Sequence, residues 1–367
     1  MIRVGFVGFG RMGITHFAIL RPHPSVKIVA VCDQSSTMLK VVSKYLEVAA
    51  FSDYKKMFND VEMDCVIVST PSDSHSEIIR EAVSRNLHVF VEKPFTLNST
   101  EGKQLVSALE GKNLVNQVGY VSRFHEVFTE VKRLLSAGVL GSIKHFSSEM
   151  YGSSVLKDSK SSWRSKRETG GGCLYEFASH CIDLTIFLLG CPDQVTGSVM
   201  QSVYSSEVED LVSATFLYAK GYSGSIMVNW SDETFRKPTT IVKIVGTEGK
   251  IIADRYGYKL YLRYNDPKPG FNKGWNERSV TDISKGVRYY LRGNDFTEQL
   301  DYFVDCINRK TVGNICNFTD GLMTDMVMET ITEDATRSNK MAIGGNVSEA
   351  DAKTSTNSEN FWGRIFK

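Results

Sequence analysis

The sequence predicts an α/β protein in which an N-terminal, doubly wound parallel sheet is followed by a second α/β domain with an antiparallel or mixed sheet. Three observations predict it. Over the first third of the chain, short apolar runs alternate with segments of helical character. A glycine-rich turn directly follows the first apolar run. Beyond about residue 122 the alternation stops, and strand-like runs succeed one another across short turns.

Residues 2–9 (IRVGFVGF) form a β-branched run ending in glycine, and 26–33 (VKIVAVCD) a second. Runs at 65–70, 87–92 and 114–120 follow, with helical segments at 74–86 and 99–111. Near-continuous apolar strands separated by helices imply a parallel sheet covered on both faces, joined by right-handed crossovers. A helix is expected at 128–137, ending at Gly138, and a strand at 143–152. A glycine turn then opens a strongly apolar helix within 170–190. Strands are expected at 194–204, 210–219, 222–230, 239–246 and 250–264, and helices near 295–309 and 319–337. The tail from 346 is rich in Ser, Thr, Asn and Asp and reads as a loose or docking extension. The expected division is therefore 1–122, 123–345 and a tail, 346–367.

The 367 residues suit two domains, and the 42% hydrophobic share supports a real core. With 43 basic and 42 acidic residues, the chain gives no electrostatic reason to bind nucleic acid or an anionic membrane. The seven cysteines are scattered, odd in number and form no CxxC pair. That fits reduced thiols in the cytoplasm better than a disulfide framework or a metal site. No signal peptide and no bilayer-length apolar stretch is apparent, so a cytoplasmic location is expected.

The first turn reads Gly8-Phe9-Gly10-Arg11-Met12-Gly13. After a strand and before a helix, Gly8 permits a tight turn, Gly10 lets the backbone approach a pyrophosphate, and Gly13 allows close helix–strand packing. Asp33, at the end of the second run, is placed to accept from a ribose 2′-OH and to repel a 2′-phosphate, which favours NAD over NADP. The plainer reading is ordinary turn glycines with Asp33 capping the next helix. The turn Ser69-Thr70-Pro71-Ser72-Asp73-Ser74-His75 offers hydroxyls to a ligand at the carboxyl ends of the strands, or an N-cap from Ser72 or Asp73. His75 alone is a weaker candidate for cofactor contact.

The stretch LHVFVEKPFT (87–96) ends an apolar strand with Glu92 and Lys93. Pro94 restricts Lys93 to extended geometry and admits a cis bond. Glu176 and His180, four apart on an apolar helix, share a face, with Asp183 close by. Such groups need partners, either in a structural ion pair or in a cleft. Between 152 and 168, Lys157, Lys160, Arg164, Lys166 and Arg167 face only Asp158 and Glu168. This loop is either a solvated surface or a lid carrying Arg164 or a lysine to an anionic substrate.

The set GFGRMG, STPSDSH, VFVEKPF, QVGYVSRFHEVF and GGGCLYEFASHCIDL, in that order, resembles the glucose-fructose oxidoreductase, inositol dehydrogenase and rhizopine catabolism protein family (Gfo/Idh/MocA). The likeness runs to about residue 337, and E-K-P is its most specific element. It implies an N-terminal Rossmann domain, a C-terminal α/β domain with a large open, mainly antiparallel sheet, and assembly as a homodimer or homotetramer. It implies NAD(P)-dependent hydride transfer at a secondary hydroxyl of a sugar, cyclitol or nucleotide sugar. Lys93 matches the catalytic lysine, Glu92 the carboxylate that places it, and His180 the histidine at the reacting hydroxyl. Glu176 stands where the family often has aspartate. Tyr120, Arg123, Trp163 and Arg164 match positions near substrate or cofactor. Which of Lys93 and His180 first takes the proton stays open here. Two other functions also stay open: a non-catalytic NAD-binding regulator and an NAD-dependent glycosidase. The basic loop favours an anionic sugar.

Overall fold

The first strand, β1 (Ile2–Val7), runs into the glycine turn and α1 (Arg11–Leu20). Then follow β2 (Val26–Cys32), α2 (Ser36–Tyr45), β3 (Ala49–Phe51), α3 (Tyr54–Asp60), β4 (Cys65–Val68), α4 (His75–Ser84), β5 (His88–Val91), α5 (Ser99–Ser107) and β6 (Asn116–Val118). The strands pair in parallel in the order β3-β2-β1-β4-β5-β6. The strand order reverses between β1 and β4, so a ligand crevice opens at their carboxyl ends. The three-residue β3 and its flanking helices escape the sequence reading, because AAF is too short to register as an apolar run. The computed structural model describes residues 1–157, 163–265 and 270–338, without the side chains of Trp163 and Ser338. The expectations for Lys160, Trp163's side chain and the 346–367 tail lie outside the described residues.

The second half holds α6 (Glu126–Ser136), β7 (Ile143–Tyr151), α7 (Ser179–Leu189), β8 (Gln194–Gln201), β9 (Leu211–Tyr218), β10 (Tyr222–Asn229), β11 (Thr239–Gly246), β12 (Gly249–Asp254), β13 (Gly257–Leu262), β14 (Gly274–Ser279), α8 (Val280–Ile283), α9 (Asn294–Arg309) and α10 (Phe318–Ser338). Its eight-stranded sheet runs β14-β13-β12-β11-β7-β10-β9-β8, antiparallel except where β7 meets β10. Alternate residues such as Phe146, Phe216, Ile226, Ile244 and Leu260 are buried in one core with Ile182 and Leu184 of α7. The opposite face leaves Met227, Tyr261 and Trp275 exposed. The stretch Arg167–Leu189 is long and apolar enough for a membrane span but is mostly buried in this core.

Two expectations need correction. The strand expected at 250–264 is a hairpin, β12 and β13, turning at Arg255 and Tyr256. Asp254 Oδ1 accepts from Tyr256 N at 2.7 Å and Gly257 N at 3.2 Å, which fixes the turn. The apolar alternation crosses the turn without a gap, so periodicity alone cannot see it. In addition, the boundary at 122 divides the sheets but not the cores. Leu300, Phe303 and Val304 of α9 pack with Phe6, Ile19 and Phe90. Phe318 and Leu322 of α10 pack with Phe95 and Val118. The C-terminal helices thus return to cover the first sheet.

Candidate active site

The crevice begins at the glycine turn. Gly8 has φ +86°, and a Cβ there would lie 2.6 Å from the Ser69 carbonyl carbon. A Cβ on Gly13 would press into Gly8 O and come within 2.9 Å of Ser69 Oγ, so helix and turn touch as expected. Around Gly10 a Cβ would meet nothing within 4 Å, so the backbone there faces open space. No side chain caps α1, and its first turn carries no acid. Its N–H groups and helix dipole therefore suit an anion. Phe9 contributes backbone only, since its ring is buried. Arg11 and Met12 follow at the start of the helix.

Asp33 ties this turn together. Its Oδ2 accepts from Phe9 N at 2.6 Å, and its Oδ1 accepts from Ser35 N at 2.8 Å. The cap of α2 is Ser35, not Asp33. The carboxylate stays partly exposed at the crevice. Arg292, which sequence reasoning missed, approaches the same end. Burial, then repulsion by Arg11, holds its pKa below the usual arginine value. Two cations and an uncapped helix start fit a dinucleotide's pyrophosphate.

Across the crevice, Ser69 Oγ donates to Gly8 O at 2.9 Å, and Ser74 Oγ to Thr70 Oγ1 at 2.7 Å. Pro71 is exposed beside them. Neither Ser72 nor Asp73 caps α4. His75 is a correction: it is fully buried, with Nδ1 3.0 Å from Pro94 O and Nε2 3.1 Å from Thr70 O. A neutral ring can donate to only one of these carbonyls. Burial also holds the ring below its ordinary pKa. His75 braces two turns and does not reach the crevice.

The reacting end joins both halves of the chain. The Lys93–Pro94 bond is cis. Lys93 Nζ donates to Glu176 Oε1 at 3.1 Å, Glu176 O at 3.1 Å and Tyr175 O at 3.4 Å. These carbonyls are available because Leu174–Ala178 forms a π-helical turn ahead of α7. A π turn shifts the ladder by one residue, leaves carbonyls exposed and recurs at functional sites. Arg164 Nε reaches Glu176 Oε2 at 3.1 Å and is 47% exposed. Glu176 therefore bridges two cations, and although burial alone would raise its pKa, Lys93 and Arg164 bring it below the usual value. His180 lies on the same face, with its ring edge-on to Tyr120 at 6.1 Å. Burial, then Lys93, drives its pKa down to about 3. The ring keeps a partly open edge that moderates the shift, but it is neutral at neutral pH.

Three expected partners change. Glu92 does not hold the Lys93 amine; its Oε1 lies 2.6 Å from His16 Nε2. Arg123 is only 3% exposed and committed elsewhere. Its Nε and Nη2 grip Asp183 at 2.8 to 3.0 Å, and Nη1 reaches Ile315 O at 2.7 Å and Asp320 at 3.1 Å. A buried guanidinium must be paired, and here the partners are protein. Tyr120 is fully buried and cannot touch substrate. Of the basic loop, Lys157 and Lys166 are exposed, and Arg167 pairs with buried Glu209 at 2.6 Å. Among the described residues of the loop, Arg164 alone joins the site. No group of side chains suited to a metal occurs among the described residues.

Comparisons agree with this fold. The model of the oxidoreductase family's NAD-binding Rossmann fold matches residues 2–120, and the GFO/IDH/MocA C-terminal domain matches 128–252. The chain is 27% identical to an uncharacterised oxidoreductase of Schizosaccharomyces pombe, over 94% of each protein. It is 31% identical to the scyllo-inositol 2-dehydrogenase (NADP(+)) IolW of Bacillus subtilis, over 62% of this chain and 63% of that protein. An uncharacterised Escherichia coli oxidoreductase, YdgJ, is 28% identical over 59% of this chain and 62% of its own length. Among solved structures, levoglucosan dehydrogenase with NADH and L-sorbose superposes with a TM-score of 0.81 at 20% identity, covering 92% of this chain and 97% of that one. The WlbA dehydrogenase of Bordetella pertussis, with NADH and UDP-GlcNAcA, gives 0.80 at 21%, covering 92% and 96%.

Proposed function

The chain belongs to the Gfo/Idh/MocA family of NAD-binding oxidoreductases, and from that premise we propose that it transfers hydride between NAD and a secondary hydroxyl of a sugar, cyclitol or nucleotide sugar. One observation carries the reading. Lys93 at a strand tip of the first sheet meets Glu176 of the π turn, with His180 of α7 close by, at the crevice where the glycine turn opens. Bound NAD supplies the hydride acceptor. Lys93 moves the proton. Three acceptors hold Nζ in place, where an amine can give a proton to a carbonyl oxygen during reduction or take one from the hydroxyl during oxidation. Neutral His180 accepts or donates a hydrogen bond at the same oxygen and orients it. Arg164, beside Glu176 and half-exposed, recognises an anionic substituent. Asp33 favours NAD over NADP.

The relatives support a ring hydroxyl as the reacting group, since their names include an inositol and an anhydrosugar dehydrogenase. The test is NADH formation across free sugars, cyclitols and nucleotide sugars. Binding of NAD with no turnover on the panel favours a regulator. Free sugar released without NADH favours a glycosidase. Either result overturns the dehydrogenase reading. The exposed sheet face with Met227, Tyr261 and Trp275 suits a second copy, and we expect a homodimer or homotetramer. A monomer by sedimentation at micromolar concentration refutes that assembly.

His180 makes stability depend on pH. Its folded pKa of about 3 lies below the unfolded value of 6.5. Between these values the unfolded chain binds a proton that the folded chain refuses, so stability falls as pH falls. A loss on the order of 2 kcal/mol between pH 6.5 and 4 is expected from this residue, after allowing for its open edge. His180→Gln should flatten the urea-midpoint profile in that window. An unchanged slope refutes the assignment.

A further inference from the structure

We propose that Glu92, held by His16, selects the charge state of the cofactor: it favours the oxidised, cationic nicotinamide over the reduced, neutral one. The inference rests on the reading above, with the nicotinamide at the Lys93 end of the crevice.

Glu92 Oε1 meets His16 Nε2 at 2.6 Å. His16 lies on α1, one turn beyond the glycine loop, and is fully buried. Its Nδ1 has no partner among the described residues. A carboxylate oxygen accepts, so the ring donates through Nε2, and Nδ1 finds no acceptor for a second ring proton. The pair therefore keeps a net negative charge. Glu92 Oε2 faces Lys93 N at 3.3 Å, and a Cβ on Gly119 would stand 3.1 Å from it. The side chain keeps 13% of its surface open. Burial alone would raise its pKa, but the hydrogen bond from His16 and the nearby Lys93 bring it below the ordinary value.

The Lys93 amine does not neutralise this carboxylate by contact, because its described bonds go to Tyr175 and Glu176. At the reacting end Lys93 and Arg164 face Glu92 and Glu176, while Arg292, whose charge also feels Glu92, stands with Arg11 toward the glycine turn. Losing the Glu92 charge shifts the site by one unit toward positive. A cationic ring arriving there is then repelled, and a neutral one is not. The competing role is purely structural, with the pair stapling α1 to β5. A staple serves both redox forms alike, so its loss weakens them equally.

The experiment uses the full chain and measures dissociation constants for NAD⁺, NADH and ADP-ribose, which lacks the nicotinamide. For Glu92→Gln, NAD⁺ should bind about tenfold more weakly, with NADH and ADP-ribose changed less than about twofold. Glu92→Asp keeps the charge but withdraws it by one methylene, and the NAD⁺ to NADH ratio should move the same way by about two- to threefold. Equal changes in both forms, or an unchanged ratio, overturn the inference. If Glu92→Gln fails to fold, Glu92→Asp decides by the same criterion. A wild-type chain that binds neither form brings down the proposed function, and this inference with it. A chain that binds both and shows an unchanged ratio brings down this inference alone.

Discussion

Lys93→Ala is expected to lower kcat by about a thousandfold or more, within the range for loss of a positioned acid–base group. Thermal stability should barely move. Removing the amine leaves Glu176 paired with Arg164 at 3.1 Å, so no buried carboxylate is orphaned. Lys93→Arg should be nearly as inactive, because a guanidinium does not give up its proton. It also presents a planar fork to carbonyls arranged around a compact ammonium. Cofactor binding should survive in both variants, because the glycine turn and Asp33 are untouched. NADH titration by fluorescence and single-turnover rates on a working substrate provide the check. Turnover within tenfold of wild type in Lys93→Ala refutes the role.

Arg123→Met should cost about 3–5 kcal/mol, the range for breaking a buried ion pair from one side. Arg123 grips Asp183 through three contacts of 2.8 to 3.0 Å. Asp183 is fully buried, and its one further hydrogen bond among the described residues comes from Thr324 Oγ1 at 3.5 Å. Burial already pushes its carboxyl up to about 6 against the pull of Arg123. Without Arg123 it should rise further and take a proton at neutral pH, which limits the loss. The companion Arg123→Met, Asp183→Leu should recover much of the stability, because a buried apolar pair leaves no charge behind. Urea unfolding measures all three chains. A single-mutant loss under about 1 kcal/mol contradicts this account.

The sequence marks Lys93, Glu176 and His180 as candidates because their residue types and order are specific and the chemistry confines each to a strand tip or a helix face. It misassigned their partners. Glu92 and Lys93 are adjacent, which suggested a pair, but successive residues leaving a strand point to opposite sides. One turns to α1 and the other to the π turn before α7. His16 was hidden for the opposite reason, as one polar residue within RMGITHFAIL. The signal that finds it is the cost of a buried polar ring, which demands a partner. Tyr120 and Arg123 follow a strand tip and read as crevice residues. Tyr120 shares a core with Phe318 and Leu322 of α10 and Arg123 pairs with Asp320, some 200 positions later, and local pattern carries no trace of that return.

That return has a mechanical consequence. The chain crosses from the first lobe to the second near residue 122 and comes back before α9, so two covalent strands join the lobes. Arg123 sits at the outgoing crossing and bonds Ile315 O and Asp320, which follow α9 in the turn and first residues of α10. The joint is thus a double tether with α10 clamped to one of its two strands. A single linker lets lobes swing apart like a gate, whereas two covalent connections resist such a wide opening.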